Sequence, residues 1–383
     1  MKKKLAILFA TVIFLGFTAL VVWGASFRLN VYNDAIFDGP EAKNPAPMLT
    51  TTKFWFNLQR WDAGWFKQIV NQGYDDASAA FFPLYPVLVK GLVIFLPDNT
   101  DAFPNAAFLI SIVVILAAAW GTLRLAEIDK VPEPRLAIFL LLIFPTSFFL
   151  AAPYSEGLFI ALFVWYLVAV QQKYWWLGIS LGILLGLTRI NALAVAIVPF
   201  YFLIKDWRHS SVVKKSGYLA LMLAPAIGLG IFAVYLQFNL GDPLAFLHAH
   251  AKWGRVSNFS LAGLQATALR DWVDMTGVSA FHPRFTVGII NYGFTLFGLG
   301  MVGWFWFTKN RLYAYLALAF MIIPLASGTV SSMPRIVLPL SPLLAISLAK
   351  KITSPIILGL VIVLSVLVWT FLLILFTRQY WVA

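Results

Sequence analysis

The chain has 383 residues, 61% of them apolar and only 11% charged, with 28 Lys and Arg against 16 Asp and Glu for a net charge of +12. So few charges exclude an ordinary soluble domain, and the lack of cysteine excludes disulfides and thiolate metal sites. The bases are scattered singly through loops, which argues against nucleic acid as a partner and for a cationic protein lying in a lipid bilayer.

The apolar runs are continuous rather than alternating, and many approach the roughly 20 residues that span a bilayer as a helix. The expected fold is therefore an all-α polytopic membrane protein, a single integral membrane domain over 1–383. In chain order, "MKKKLAILFATVIFLGFTALVVW" opens it. Its apolar stretch from Leu5 to Trp23 exceeds the roughly 7–15 residues of a signal-peptide core, so it reads as an uncleaved first helix, 5–27, with the lysines in the cytoplasm. Further helices are expected near 82–97, 103–126, 135–152, 155–171, 174–187, 190–204, 216–239, 285–307, 312–327, 335–349 and 353–376.

The segment 82–97 decides the topology. If it spans, the loops carrying Arg124, Lys130 and Arg135, then Lys205, Arg208, Lys214 and Lys215, then Lys309, Arg311, Lys350 and Lys351 all fall outside. That violates the positive-inside tendency at every later loop. If it lies flat in the interface, all of them move inside. Eleven spans follow, with two large external loops at 28–102 and 240–284. The unusual polar motifs then share the outer face: "RWDAGWF" (60–66), "FFPLYP" (81–86), the end of "PTSFFLAAPYSE" (145–156), "TRIN" (188–191), "FLHAHAKWGR" (246–255) and "MPR" (333–335).

Within the first loop, Trp61, Trp65 and Ile69 recur at helical spacing, as an amphipathic interfacial helix requires. Asp62 sits among them, pressed toward lipid or protein, where a carboxylate is costly unless paired. Arg60 offers a purely structural partner; the functional reading makes Asp62 a general base. Arg189 and Arg335 stand in short external turns at the ends of short spans. Guanidinium groups held below the headgroups match a lipid phosphate bidentately, and Lys252 and Arg255 add positive potential. His248 and His250 have no third ligand at metal spacing, so no metal or other cofactor is expected. The remaining candidates for contacting substrate are Arg60, Trp61, Trp65, Tyr85, Tyr154, Glu156, Asn191, His248 and Arg255.

The blocks "RWDAGWFKQIVNQGY" and "AAFFPLYPVLVK", followed in order by "FPTSFFLAAPYSEGLF", "LTRINAL", "GDPLAFLHAHAKWGR" and "MPRIVLPLSPLL", resemble the PIG-V family. These are the glycosylphosphatidylinositol mannosyltransferases that add the second mannose, with their prokaryotic relatives. The resemblance covers about 54–345, and the first two blocks are its more specific part. It implies the GT-C glycosyltransferase class, a polyprenyl-phosphate sugar donor and a catalytic acid in the first external loop, at the position of Asp62. It also implies transfer of a sugar, mannose by the resemblance, to a lipid-linked or glycan acceptor on the extracytoplasmic face. A lipid or solute transporter is the alternative, although the paired repeats and midplane broken helices of such proteins are not evident; an envelope scaffold would need no buried charge.

Overall fold

The structure, a computed structural model, describes residues 2–26, 54–97, 102–251, 283–326, 329–378, 380 and 382. Among the described residues all regular structure is helical. Seven segments are long and apolar enough to cross a membrane. They are α1 (Lys2–Ser26), α4 (Ala102–Ile128), α6 (Ser155–Gln172), α9 (Val212–Leu240), α11 (Pro283–Phe307), the run Met333–Lys351 and α15 (Pro355–Thr377). Four apolar helices are shorter: α3 (Leu84–Val93), α7 (Trp175–Gly186), the run Ile190–Lys205 whose second part is α8 (Ile197–Lys205), and α12 (Arg311–Leu325). The chain divides into two compact units: Met1–Gly73 with Tyr85–Ala161 and Ser341–Ala383, and Tyr74–Leu84 with Leu162–Leu340.

In the first unit α1 runs antiparallel to α4. At one pole Lys3 pairs with Glu127 at 2.5 Å. At the other, the 3-10 turn Phe54–Leu58 sits on the start of α4: Trp55 Nε1 donates to Asn105 Oδ1 at 3.1 Å and stacks on Phe108 with centroids 4.5 Å apart. The chain between α1 and α4 thus returns to the pole from which it set out. α3 has ten residues, about 15 Å at the α-helical rise, and is no lone crossing between them. The expected helix over 82–97 is therefore confined to its middle.

The expected helix 135–152 is broken. α5 (Pro134–Leu142) stops after nine residues, and a separate 3-10 turn occupies Ser147–Leu150. Pro145 is the cause, because it lacks an amide hydrogen and disfavours helical backbone at Phe144. Ser147 closes the gap: its hydroxyl donates to the Leu142 carbonyl and accepts from Trp369 Nε1 of α15 at 3.0 Å. Phe17 of α1 stacks on the same indole at 5.2 Å. α14 (Ser341–Lys351) packs along α5.

In the second unit α7 lies closest to α9. Gly178, Gly182 and Gly186 recur every fourth residue on α7, the small-residue spacing that lets membrane helices approach. A Cβ at Gly186 would lie 2.0 Å from the Pro225 carbonyl oxygen, and one at Gly228 would lie 2.1 Å from that of Ile183. Pro225 falls inside α9 and removes the donor that the Leu221 carbonyl would receive. The Tyr166 hydroxyl of α6 supplies it instead, at 3.0 Å. α11 and α12 form an antiparallel pair, Phe305 against Tyr313 with centroids 5.6 Å apart. α13 (Met333–Val337) is tied to α11 by the Met333 amide, which donates to Asn291 Oδ1 at 3.2 Å.

Candidate functional site

The stretch that places Asp62 begins with the turn Phe54–Leu58. The Arg60 amide donates to the Leu58 carbonyl at 3.0 Å, and the chain then passes through Trp61 at φ 51, ψ −108. Positive φ is rare for a bulky residue, and strain of this kind stores about 1–3 kcal/mol and persists only when its surroundings enforce it. Two backbone bonds span the turn, Ala63 N–H to Arg60 O at 3.1 Å and Gly64 N–H to Trp61 O at 2.9 Å. Asp62 is the first residue of α2 (Asp62–Gln72), where the N-terminal end of the helix dipole favours a carboxylate.

The buried row of α2 is Asp62, Phe66, Ile69 and Val70, while Trp65 is half-buried. The expected row of Trp61, Trp65 and Ile69 is thereby corrected: Trp61 caps the helix instead of belonging to it. The carboxylate, 8% exposed, lies on the protein-facing side.

Arg60 is 6% exposed. Its guanidinium donates to the Gln59 carbonyl at 3.3 Å and to the Thr377 carbonyl at 3.4 Å. The second acceptor is among the last carbonyls of α15, where the helix dipole favours a cation. The Arg60 carbonyl in turn accepts from the Tyr154 hydroxyl at 2.7 Å. Tyr154 immediately precedes α6 and its ring meets Phe149 and Phe376. Glu156, in the first turn of α6, is fully buried.

Tyr85 of α3 is also buried, its ring 4.9 Å from that of Phe66. Burial, with the Glu156 carboxylate adding to it, pushes the Tyr85 phenol far above its ordinary range, so it keeps its proton. Its hydroxyl has no hydrogen-bond partner among the described residues. The first unit thus holds Arg60, Asp62, Tyr85, Tyr154 and Glu156 as buried groups, Arg60 bonded to Tyr154 and Tyr85 set between Phe66 and the Glu156 carboxylate, with Trp61 and Trp65 half-buried.

Sequence reasoning passed over Arg378, which caps the C-terminus of α15, is 4% exposed and has an Nη2 with no partner among the described residues. A lone arginine after a long apolar run looks like an interfacial flank, and only the return of Arg60 to Thr377, 317 positions away, reveals the difference.

In the second unit Arg189 is half-buried and fully extended at φ −162, ψ 149. It separates α7 from the 3-10 run Ile190–Ala196, whose Asn191 is 8% exposed. Arg335 is 6% exposed on α13, which is entered through Ser332 at φ 67. The run after Arg189 and the helix carrying Arg335 both pack on α12.

The motif "FFPLYP" contributes Phe82 to a core with Ala79, Phe232, Leu236, Ala245, Phe246 and Ala249. Three of these belong to α10 (Ala245–Ala251). His248 lies on the other side of that helix, exposed, its Nδ1 2.6 Å from Asp242 Oδ2. That hydrogen bond, with one from the Leu244 amide, holds the Asp242 carboxyl below its usual range. Among the described residues no three His, Asp or Glu side chains gather as metal ligands. Lys252 and Arg255 lie outside the described residues. No family model and no curated protein matches the chain.

Proposed function

We propose that this chain is an inverting glycosyltransferase of the GT-C class, with eleven spans and its reaction on the extracytoplasmic face. It moves a sugar, mannose by its resemblance to the PIG-V family, from a polyprenyl-phosphate donor to an acceptor hydroxyl. The observation that carries the reading is Asp62: a buried carboxylate at the start of a short helix, entered through a strained backbone and set beside aromatic rings.

The chemistry is a single displacement. The acceptor oxygen attacks the anomeric carbon from the face opposite the phosphate, the bond from that carbon to the phosphate oxygen breaks, and Asp62 takes the hydroxyl proton as general base. The polyprenyl phosphate leaves with the bonding pair. Stabilising that charge in a dry site is commonly the largest catalytic term, and Arg189, Arg335 and Lys252 are the groups assigned to it. Tyr85 and Tyr154 are buried aromatic candidates for the sugar, the Tyr154 hydroxyl being engaged by the Arg60 carbonyl and the Tyr85 hydroxyl having no hydrogen-bond partner among the described residues, and Glu156 and Asn191 are the further polar candidates.

The test is transfer from radiolabelled polyprenyl-phosphate mannose by the purified protein, with and without a membrane lipid extract as acceptor source. Asp62→Asn should lower turnover by roughly 10²–10⁴, the usual range for general acid–base catalysis, with donor binding kept. Full turnover in a folded Asp62→Asn protein removes this base from the reaction, and no transfer by the wild type under any acceptor supply removes the reaction itself.

A further inference from the structure

At the pole of the first unit away from Asp62, a recess of about 490 Å³ opens between the start of α1, the end of α4 and the start of α5. Its rim carries Lys3, Lys4, Arg124 and Arg135 against one carboxylate, Glu127, a net charge of +3. Glu127 is held by Lys3 at 2.5 Å and by Arg124 at 2.6 Å. Among the described residues no carboxylate pairs with Lys4 or Arg135. The wall is apolar, with Ile7 and Leu123 buried and Trp120 half out at 49% exposure.

We propose that this recess binds the headgroup of an anionic membrane phospholipid, with an acyl chain lying along Trp120. Charge is the first reason. Trp120, Arg124 and Glu127 share one face of α4 by their spacing, and Lys3, Lys4 and Ile7 of α1 line the same recess, so the bases converge on it from two long helices and a third element.

The second reason is amphipathy. The recess joins a basic rim to an apolar wall of Ile7, Leu123 and Trp120. A free anion uses the rim alone. A lipid uses both, and indole belongs at the depth where headgroup meets chain. Basic pockets between membrane helices bind acidic headgroups by this logic.

The experiment titrates the full-length protein in a mild neutral detergent with dioleoyl phosphatidylglycerol, dioleoyl phosphatidylcholine or inorganic phosphate, and reads bound lipid by native mass spectrometry and protection by thermal unfolding. Phosphatidylglycerol should bind at least tenfold more tightly than phosphatidylcholine, and inorganic phosphate should not displace it at equal concentration. Each base beside an anionic lipid surface is worth about 1 kcal/mol, roughly fivefold. Arg124→Gln with Arg135→Gln should therefore weaken phosphatidylglycerol roughly tenfold to thirtyfold. Lys205→Gln with Arg208→Gln, an equal loss of charge in the second unit, should change it less than threefold. Lys4→Gln, a change at an exposed residue near the chain start, should by itself cost about fivefold by the same measure, which keeps the test alive if the double variant fails to fold. Equal binding of the two lipids, displacement by phosphate, or an equal loss in the Lys205 and Arg208 variant overturns the proposal.

Discussion

Tyr166→Phe removes one oxygen from a fully buried side chain and so isolates one bond, Tyr166 Oη to the Leu221 carbonyl at 3.0 Å. In a regular helix that carbonyl is served by the amide four residues on, but position 225 is proline. Leu221 is fully buried, so water does not take over when the hydroxyl goes. A buried acceptor left unsatisfied costs about 1–3 kcal/mol, and the lower half of that range is expected because paired side chains in membranes contribute about 0.6 kcal/mol on average. Pro225→Ala supplies the control. It restores an amide to the same carbonyl, so Tyr166→Phe in that background should cost less than about 0.5 kcal/mol, a coupling of roughly 1 kcal/mol between the two positions. The assay is reversible denaturation of the four proteins in mixed micelles, followed by tryptophan fluorescence. Equal costs of Tyr166→Phe in the two backgrounds refute the idea that the tyrosine stands in for the missing amide.

Three further expectations follow from the geometry. If Arg189 and Arg335 hold one phosphate, each change to Lys should weaken donor binding more than acceptor binding by losing the bidentate fork, each change to Ala should cost more, about 1.5–3 kcal/mol, and the double change should cost less than the sum; strict additivity in donor affinity places them in separate sites. Lys90 is exposed on α3, so a cysteine there should react with an impermeant maleimide in intact cells, and reaction only after permeabilisation refutes the outward assignment of that helix. The Asp242 carboxyl is held below its ordinary value by His248 and the Leu244 amide; its contribution is therefore present above the usual carboxylate range near 3.9 and lost as pH falls through the depressed value, so hydrogen exchange at the start of α10 should quicken only as pH falls below that range, and quickening already at neutral pH counts against this capping role.

The long helices were legible because their apolar runs are long; their ends were less so. Val212–Leu240 starts four residues before the expected 216 because Lys214 and Lys215 look like loop residues in a hydropathy reading. Ser211 decides the start: its side chain accepts from the Lys214 amide at 3.4 Å and caps the helix. The break at Pro145 was visible as a residue type but was outweighed by the apolar letters around it. Trp61 shows a different blind spot. Side-chain periodicity placed it on the helix, whereas its positive φ is a property of the backbone that no pattern of apolar letters encodes.

The candidate site divides along the same line. Asp62 could be singled out from sequence because a carboxylate among tryptophans conflicts with its neighbours, and such local conflicts mark functional or strained positions. Arg378 conflicts with nothing nearby: a base after 23 helical residues is an ordinary interfacial flank. What sets it apart is long-range: the residue before it, Thr377, receives Arg60 at its carbonyl, while Tyr154 holds the Arg60 carbonyl. Those two bonds fix the residue that leads into the strained turn at Trp61, and with it the start of α2 and the direction in which Asp62 faces. The end of the last long helix is thus part of what positions the carboxylate. A change at Tyr154 or in the last turn of α15 should therefore shift the start of α2 through the Arg60 backbone.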